Sequence, residues 1–196
     1  PPHVHTIQDV YALPCVVAIN RFPTDTEAEL ALIESECQKL GVNVKLSEVW
    51  AKGGEGALEL ADEVMRLIEQ PSELKFAYED GADVADALEA VATKVYRADG
   101  VDFTPAAKRQ LAELRENGFG NLPVCVAKTQ YSFSDNAKAL GAPENFRITV
   151  RELKVSAGAH FVVALTGSVL TMPGLPKVPA AENIDVDNDG DITGLF

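Results

Sequence analysis

The chain has 196 residues, of which 46% are hydrophobic and 24% charged, so it can build a real core in one or two domains. Its 17 Lys and Arg against 30 Asp and Glu give a formal net charge of −13, which repels nucleic-acid backbones and anionic lipid surfaces. No apolar run approaches the ~20 residues of a bilayer span, and three cysteines without C-x-x-C spacing indicate a reducing compartment. We therefore expect a cytoplasmic protein with neither nucleic acid nor a membrane as its partner.

A buried strand is the first predicted element, at residues 15–19. Its continuous run of β-forming apolar residues is typical of a parallel sheet that is covered on both faces. Only fourteen residues precede it, too few for neighbouring strands and crossover helices. The pattern thus predicts that this sequence is the C-terminal piece of a longer protein.

The next segment predicts helix, strand, loop and helix in that order. Thr24 and Glu27 fit a capping box, and Gly41 would end the first helix. A strand at residues 42–46 and a glycine-rich loop at residues 51–56 precede a second helix, which Pro71 stops. The apolar face of the first helix would be Leu30, Ile33, Cys37 and Leu40, and that of the second Ala57, Leu60, Ala61, Val64 and Ile68.

The remaining sequence predicts two more helices and three strands, which makes the fold class α/β. Valines and a leucine at helical spacing mark residues 84–95, and Thr104-Pro105 opens a helix that runs to about residue 117. Strands are predicted at residues 124–127, 148–153 and 161–165. From about residue 172 several prolines predict a tail that is either an extended strap or disordered.

Aromatic and apolar residues follow the first two predicted strands. Phe22 and Pro23 come after one strand, and Trp50, the only tryptophan, comes after the next, with Leu46 just before it. Strand-to-helix connections of an α/β layer share its ligand-bearing edge, so these residues could stack on a flat heterocycle. Their spacing alone favours ordinary core packing.

The glycine-rich loop and two cations are candidates for anion contacts. Gly53 and Gly54 lie where backbone amides can hold an anion, although no Gly-Lys-Ser/Thr follows and a tight turn explains them equally well. Lys128 and Arg151 are isolated cations of the kind that usually face solvent.

An acidic segment near the C-terminus matches the first half of a calcium loop. Residues 185–190 supply alternating oxygen ligands and the turn glycine. Phe196 stands where the bidentate Glu should close the loop. We therefore predict a solvated acidic turn and no metal site.

Five longer segments together resemble one enzyme family, formate–tetrahydrofolate ligase (formyltetrahydrofolate synthetase). They are residues 16–27 (VVAINRFPTDTE), 50–56 (WAKGGEG), 122–132 (LPVCVAKTQYS), 148–153 (ITVREL) and 171–179 (TMPGLPKVP). The resemblance covers essentially the whole chain. It implies a ligase of one-carbon metabolism that uses ATP to join formate to tetrahydrofolate, giving 10-formyltetrahydrofolate, ADP and phosphate through formyl phosphate.

The resemblance also implies how this chain takes part. Family members are longer and carry a Gly-rich, Lys-bearing phosphate loop in an N-terminal nucleotide-binding domain that is missing here. Residues 1–22 would be the last strand and turn of that domain, and residues 23–196 a C-terminal α/β domain. Phe22, Pro23, Leu46 and Trp50 would line the folate and adenine region, with Gly53 and Gly54 as possible loop contacts.

The same resemblance implies no catalytic residue in this chain and no activity of the chain alone. ATP and tetrahydrofolate would be substrates, Mg²⁺ would accompany ATP without tight binding to this chain, and the enzyme would be a homo-oligomer. The alternative is a non-catalytic ligand-binding or assembly module that keeps the pocket without the chemistry. A Gly-rich, Lys-bearing loop encoded upstream in the same reading frame would favour the ligase.

Overall fold

A computed structural model of the chain describes residues 2–169 and 177–194. The helices are α1 (Pro2–His5), α2 (Glu27–Lys39), α3 (Val49–Lys52), α4 (Leu58–Ile68), α5 (Val84–Ala90) and α6 (Pro105–Glu116). The strands are β1 (Val16–Asn20), β2 (Asn43–Ser47), β3 (Val101–Phe103), β4 (Val124–Ala127), β5 (Ile148–Ser156), β6 (Phe161–Thr166), β7 (Asp185–Val186) and β8 (Ile192–Thr193). Helices together with mixed sheets confirm the α/β prediction.

The main core lies against a four-stranded sheet in the order β3-β5-β6-β4. β3 is parallel to β5, β5 is antiparallel to β6, and β6 is parallel to β4. Buried side chains of α5 and α6 pack on this sheet, and the cluster includes Val84, Leu88, Ala107, Leu111, Leu114, Ile148, Val150, Leu153, Val162 and Ala164. All of these residues lie between Val84 and Ala164.

β1 and β2 form a separate two-stranded parallel sheet with α2 and α4 against it. Its buried apolar residues are few, with Leu30, Val42 and Leu67 each 9% exposed or less. Ala18 and Asn20 of β1 are exposed, whereas the sequence predicted a strand covered on both faces by parts of a longer protein. This small sheet holds the candidate site.

The start of α2 differs from the prediction by two residues. Thr26, not Thr24, is the N-cap. Its hydroxyl accepts a hydrogen bond from the amide of Glu29, and the Glu29 carboxylate accepts one from the amide of Thr26. The predicted box of Thr24 with Glu27 is wrong, because Thr24 lies in the turn that two hydrogen bonds between Phe22 and Asp25 close, and the Glu27 carboxylate pairs with Arg21. The helix end is as predicted, since Gly41 adopts a left-handed φ of +70°.

The glycine-rich segment and α4 also differ from the prediction. The segment predicted as a loop consists of α3 and a 3₁₀ turn, Gly53–Ala57. α4 has nearly the predicted length, but it buries Glu63 and Leu67 and leaves Val64 and Ile68 exposed. Its inward face is therefore rotated from the face that hydrophobic spacing predicted.

The predicted elements from residue 84 onward are largely confirmed. α6 begins after the N-cap Thr104, and β4 has the predicted bounds. The helix predicted through residue 95 changes to a π-helical turn at Val91–Val95, and the three-residue strand β3 was not predicted.

The tail is not a simple extended strap where the structure describes it. Residues 177–194 contain a 3₁₀ turn at Ala180–Glu182 and the hairpin β7-β8, whereas residues 172–176 and 195–196 of the predicted tail lie outside the described residues. Along residues 2–169 and 177–194, no helix combines the length and apolar character that a membrane span requires.

Candidate functional site

The carboxyl ends of β1 and β2 meet at one edge of the two-stranded sheet. Asn20 pairs with Ser47, and the amide of Arg21 continues the ladder by donating to the Ser47 carbonyl at 3.1 Å. Phe22 follows β1 and Trp50 follows β2, so parallel pairing brings both to the same edge, as the sequence predicted.

A hydrogen bond joins the two connections at this edge. The indole Nε1 of Trp50 donates to the carbonyl oxygen of Arg21 at 2.7 Å. Trp50 is nevertheless 57% exposed and Phe22 56% exposed. Their side chains therefore do not belong to the core, and each leaves aromatic surface open to solvent.

The turn that carries Phe22 and Pro23 is held by its own side chains. The Asp25 carboxylate accepts the amide of Phe22 at 2.8 Å, and the amide of Asp25 donates to the Phe22 carbonyl at 3.0 Å. Arg21 forms a 2.6 Å ion pair with Glu27 at the start of α2. Pro23 is exposed at the tip of this turn.

Leu46 lies in a different place from the other three predicted residues. It is 38% exposed and helps to line a cleft of about 630 Å³ between α2 and the α3–α4 region. The apolar floor of the cleft also includes Ile19, Leu30 and Val44. Phe22, Pro23 and Trp50 are not among its lining residues, so the predicted set is divided between an exposed edge and a neighbouring cleft.

The rim of the cleft is acidic. Its lining includes five carboxylates, Glu27, Glu34, Glu48, Glu55 and Glu59, and two cations, Lys45 and Lys52. Lys52 pairs with Glu48 at 2.5 Å and lowers the pKa of that carboxyl, mainly through their hydrogen bond. Because carboxylates outnumber ammonium groups, the cleft disfavours a phosphate and suits a neutral ligand part.

The glycines beside the cleft have different roles. Gly53 has a φ of +60°, and both Gly53 and Gly54 face open space. Gly56 is tightly packed: a Cβ there would lie 2.5 Å from the carbonyl carbon of Glu48, and its own carbonyl accepts the Glu48 amide at 2.9 Å. Sequence reasoning singled out the first two glycines and missed the third, because the close approach involves only backbone atoms.

The two isolated cations point to backbone oxygens. The Lys128 ammonium donates to the carbonyls of Thr129, Ser132 and Ser134 and lies 5.0 Å from the centre of the Tyr96 ring. Burial lowers its pKa. A guanidinium nitrogen of Arg151 donates to a backbone carbonyl. The Lys128 ammonium is therefore already engaged by backbone carbonyls, whereas the sequence suggested it as a candidate anion contact.

The acidic tail forms the turn of the β7-β8 hairpin. One oxygen of Asp187 accepts the amides of Asp189 and Asp191 at 3.0 and 2.9 Å. Within residues 2–169 and 177–194, no group of three or more His, Cys, Asp or Glu side chains is placed to hold a metal ion.

Sequence reasoning missed Arg21 and Asp25, which contribute to this site through backbone contacts. A signal for Asp25 existed, since Asp side chains in turns commonly hydrogen-bond to neighbouring backbone groups. The role of Arg21 had no signal, because any residue at that position supplies the carbonyl that Trp50 contacts.

A comparison with models of known protein families finds one that matches almost the whole chain. The model of the family described as formate–tetrahydrofolate ligase matches residues 2–196. Membership implies ATP and tetrahydrofolate as substrates alongside formate. The match and the α/β fold agree with the resemblance that the sequence segments carried, and the chain belongs to the formate–tetrahydrofolate ligase family.

Proposed function

We propose that this chain supplies the folate and adenine side of an ATP-dependent formate–tetrahydrofolate ligase. The observation that carries the proposal is the pair of half-exposed aromatic residues, Phe22 and Trp50, at the shared carboxyl edge of β1 and β2. Pterin and adenine are flat heterocycles, and each has a face on which an aromatic side chain can stack. Pro23 and Leu46 would add apolar contacts beside the two rings.

Fixed orientation supports a stacking role for Trp50. A solvent-exposed indole without a partner would sample several rotamers and lose entropy on binding. Here the 2.7 Å bond to the Arg21 carbonyl holds the ring before any ligand arrives. A ring that is both exposed and held is suited to binding a flat ligand at low entropic cost.

The reaction would proceed in two transfers. A formate oxygen attacks the γ-phosphorus of ATP while the bond to the ADP oxygen breaks, which gives formyl phosphate and ADP. The N10 nitrogen of tetrahydrofolate then attacks the formyl carbon, loses its proton, and releases phosphate. Phosphoryl transfer needs positive charge at the phosphates, which the acidic cleft beside Leu46 does not offer.

We therefore assign phosphate binding to a Gly-rich, Lys-bearing loop outside this sequence, in a nucleotide-binding domain to which residues 1–22 would contribute β1. Gly53 and Gly54 remain candidates for a backbone contact to the ligand, since both face open space. Mg²⁺ would enter with ATP and would not bind tightly to this chain. The working enzyme would be a cytoplasmic homo-oligomer, and this chain alone would be inactive.

Single substitutions in the ligase that carries this chain test the stacking site. Trp50→Ala and Phe22→Ala should each weaken tetrahydrofolate or ATP binding by ~1 to 3 kcal/mol, the range for stacking of a base on an aromatic side chain. Phe76→Ala is the matched control, because Phe76 is 75% exposed and lies outside the site. Unchanged dissociation constants and unchanged KM values in both site variants would refute the proposal.

A second assay separates the ligase from a non-catalytic module. The purified 196-residue chain should release no ADP when formate, tetrahydrofolate and ATP are supplied, whereas the longer enzyme should. ADP release by the chain alone would refute its proposed inactivity. Ligand binding without turnover in the longer protein would favour the non-catalytic module.

A further inference from the structure

One peptide group at the candidate site is held at both ends. The carbonyl oxygen of Arg21 accepts the Trp50 indole N–H at 2.7 Å, and the amide of Phe22 donates to the Asp25 carboxylate at 2.8 Å. This oxygen and this nitrogen belong to the same planar amide, the bond between Arg21 and Phe22. Rotation of that plane would therefore disturb both hydrogen bonds together.

Asp25 is itself fixed in place. Its amide donates to the Phe22 carbonyl at 3.0 Å, so Phe22 and Asp25 are joined by two hydrogen bonds in opposite directions. The nearby guanidinium of Arg21 pairs with Glu27. The Asp25 carboxylate is thus directed at the amide of the shared peptide group.

The Asp25 carboxylate strengthens the hydrogen bond of Trp50 by polarising the amide between them. A hydrogen bond to an ionised carboxylate is roughly twice as strong as a neutral one, and it polarises the amide so that its carbonyl becomes a better acceptor. Trp50 has a single donor, its indole N–H. The strength of the Asp25 contact is therefore transmitted through the amide to the only hydrogen bond that the indole can donate.

We propose that Asp25 is a positioning residue for Trp50, acting through the Arg21–Phe22 peptide group to fix the orientation of the indole. It need not touch the ligand to do so. The consequence for ligand binding rests on the proposed stacking function, whereas the orientation of the free indole does not.

A merely structural role as a helix cap does not account for Asp25. Thr26 is the N-cap of α2, and its reciprocal bonds with Glu29 complete the capping box without Asp25. Loss of the Asp25 carboxylate should therefore leave α2 intact and change the turn that carries Phe22 and Pro23.

Trp50 provides a direct readout because it is the only tryptophan in the chain. In the ligand-free 196-residue chain, Asp25→Ala should reduce the near-ultraviolet circular dichroism of the indole and its fluorescence anisotropy, with the far-ultraviolet spectrum unchanged. Asp25→Asn keeps a neutral acceptor and should show a smaller change in the same direction. Glu27→Ala is the control, because it removes the neighbouring ion pair with Arg21 and keeps Asp25.

Kinetics in the longer ligase connect this orientation to function. Asp25→Ala should raise the KM for tetrahydrofolate or ATP about tenfold with kcat within about twofold, which is the pattern of lost ground-state binding. The rise should disappear in a Trp50→Phe background, which lacks the indole donor.

The possible outcomes test the positioning role of Asp25 and the proposed stacking function separately. Wild-type indole signals in folded Asp25→Ala would overturn the positioning role. If that variant does not fold, wild-type signals in Asp25→Asn would overturn it instead. Altered signals with KM values unchanged in Asp25→Ala, Trp50→Ala and Phe22→Ala would support positioning and refute the proposed stacking function.

Discussion

The carboxylate of Glu63, a residue only 7% exposed, accepts a 2.8 Å hydrogen bond from the side-chain amide of Asn43. The contact joins α4 to the first residue of β2, next to the few apolar side chains that this small sheet buries. Arg66, one turn further along α4, donates to the same carboxylate at 2.9 and 2.7 Å. A charged group thus lies on the inward face of α4, where a helix that packs against a sheet usually has an apolar residue.

We predict that Glu63 makes the stability of the chain depend on pH below about pH 4.5. Hydrogen bonds from Arg66 and then Asn43 lower the pKa of Glu63 from 4.5 to about 2. A carboxyl with a lowered folded-state pKa stabilises the fold above its unfolded pKa, and this contribution is lost as the pH falls towards the folded value. Urea unfolding between pH 6 and pH 2 measures the loss.

Glu63→Gln tests this directly, because glutamine keeps the shape and removes the titration. The difference in unfolding free energy between wild type and variant should be largest at pH 6 and should shrink between about pH 4.5 and pH 2. Glu69→Gln, at an exposed position just after α4, is the control and should show no such pattern. A constant difference across this range would contradict the prediction.

The close approach at Gly56 leads to a second prediction. In Gly56→Ala the new Cβ would lie 2.5 Å from the carbonyl carbon and 2.6 Å from the carbonyl oxygen of Glu48. Backbone must move to relieve contacts this short, and overpacking of this kind costs ~1 to 3 kcal/mol. Because Glu48 directly precedes α3, the shift should also change the environment of Trp50.

Gly54→Ala is the matched control, since a Cβ there meets nothing within 4 Å in the same turn. Thermal unfolding and Trp50 fluorescence of the two variants can be compared with the wild type. We expect a lower Tm and a shifted emission maximum for Gly56→Ala alone. Equal Tm values for the two variants would show that the turn accommodates a side chain at Gly56.

The sequence alone could predict which strands carry the candidate site and at which edge of the sheet it lies. A continuous run of β-forming residues and a second strand before Trp50 were enough to place Phe22 and Trp50 at one edge, because parallel strands end on the same side. The capping box was predicted at Thr24 because Thr24 and Thr26 both have a Glu three residues later. In the structure Thr24 lies in the preceding turn and Glu27 pairs with Arg21, contacts that the sequence pattern does not show.

The details that fix the site could not be predicted. The contact between Trp50 and Arg21 uses a backbone carbonyl, which every residue has, so no residue type marks it. Glu63 has the polarity of an exposed helix position, and its burial is made favourable by hydrogen bonds from Arg66 on the same helix and from Asn43 of β2. The acidic cleft likewise arises from residues that are far apart along the chain.

A third prediction concerns Lys128, whose ammonium is held by backbone carbonyls of the segment after β4. Lys128→Met keeps the length of the side chain and removes its hydrogen bonds to Thr129, Ser132 and Ser134. Hydrogen bonds to charged groups contribute ~1.5 to 3 kcal/mol each, and partial exposure of the site to water offsets part of the loss, so we expect destabilisation by ~1 to 3 kcal/mol.

Lys138→Met is the control, because Lys138 lies in the same segment and is exposed. Chemical denaturation of both variants gives the comparison. Hydrogen exchange should in addition become faster between residues 129 and 136 in Lys128→Met. Unchanged stability and unchanged exchange would mean that the segment keeps its conformation without the ammonium.

The fourth prediction is that the acidic tail binds no calcium at micromolar concentration. Asp187 directs one carboxylate oxygen at the amides of Asp189 and Asp191, so that oxygen is engaged by the turn of the hairpin. Position twelve of the motif, which should supply a bidentate carboxylate, is Phe196. Calcium would have to displace these hydrogen bonds and would gain too few oxygen ligands in return.

Isothermal titration of the chain with calcium should therefore give no saturable heat. In Asp187→Ala, amide resonances of residues 189 and 191 should move, because their acceptor is gone, while the titration stays flat. Saturable micromolar binding that Asp187→Ala abolishes would contradict the prediction and would make this hairpin a calcium site.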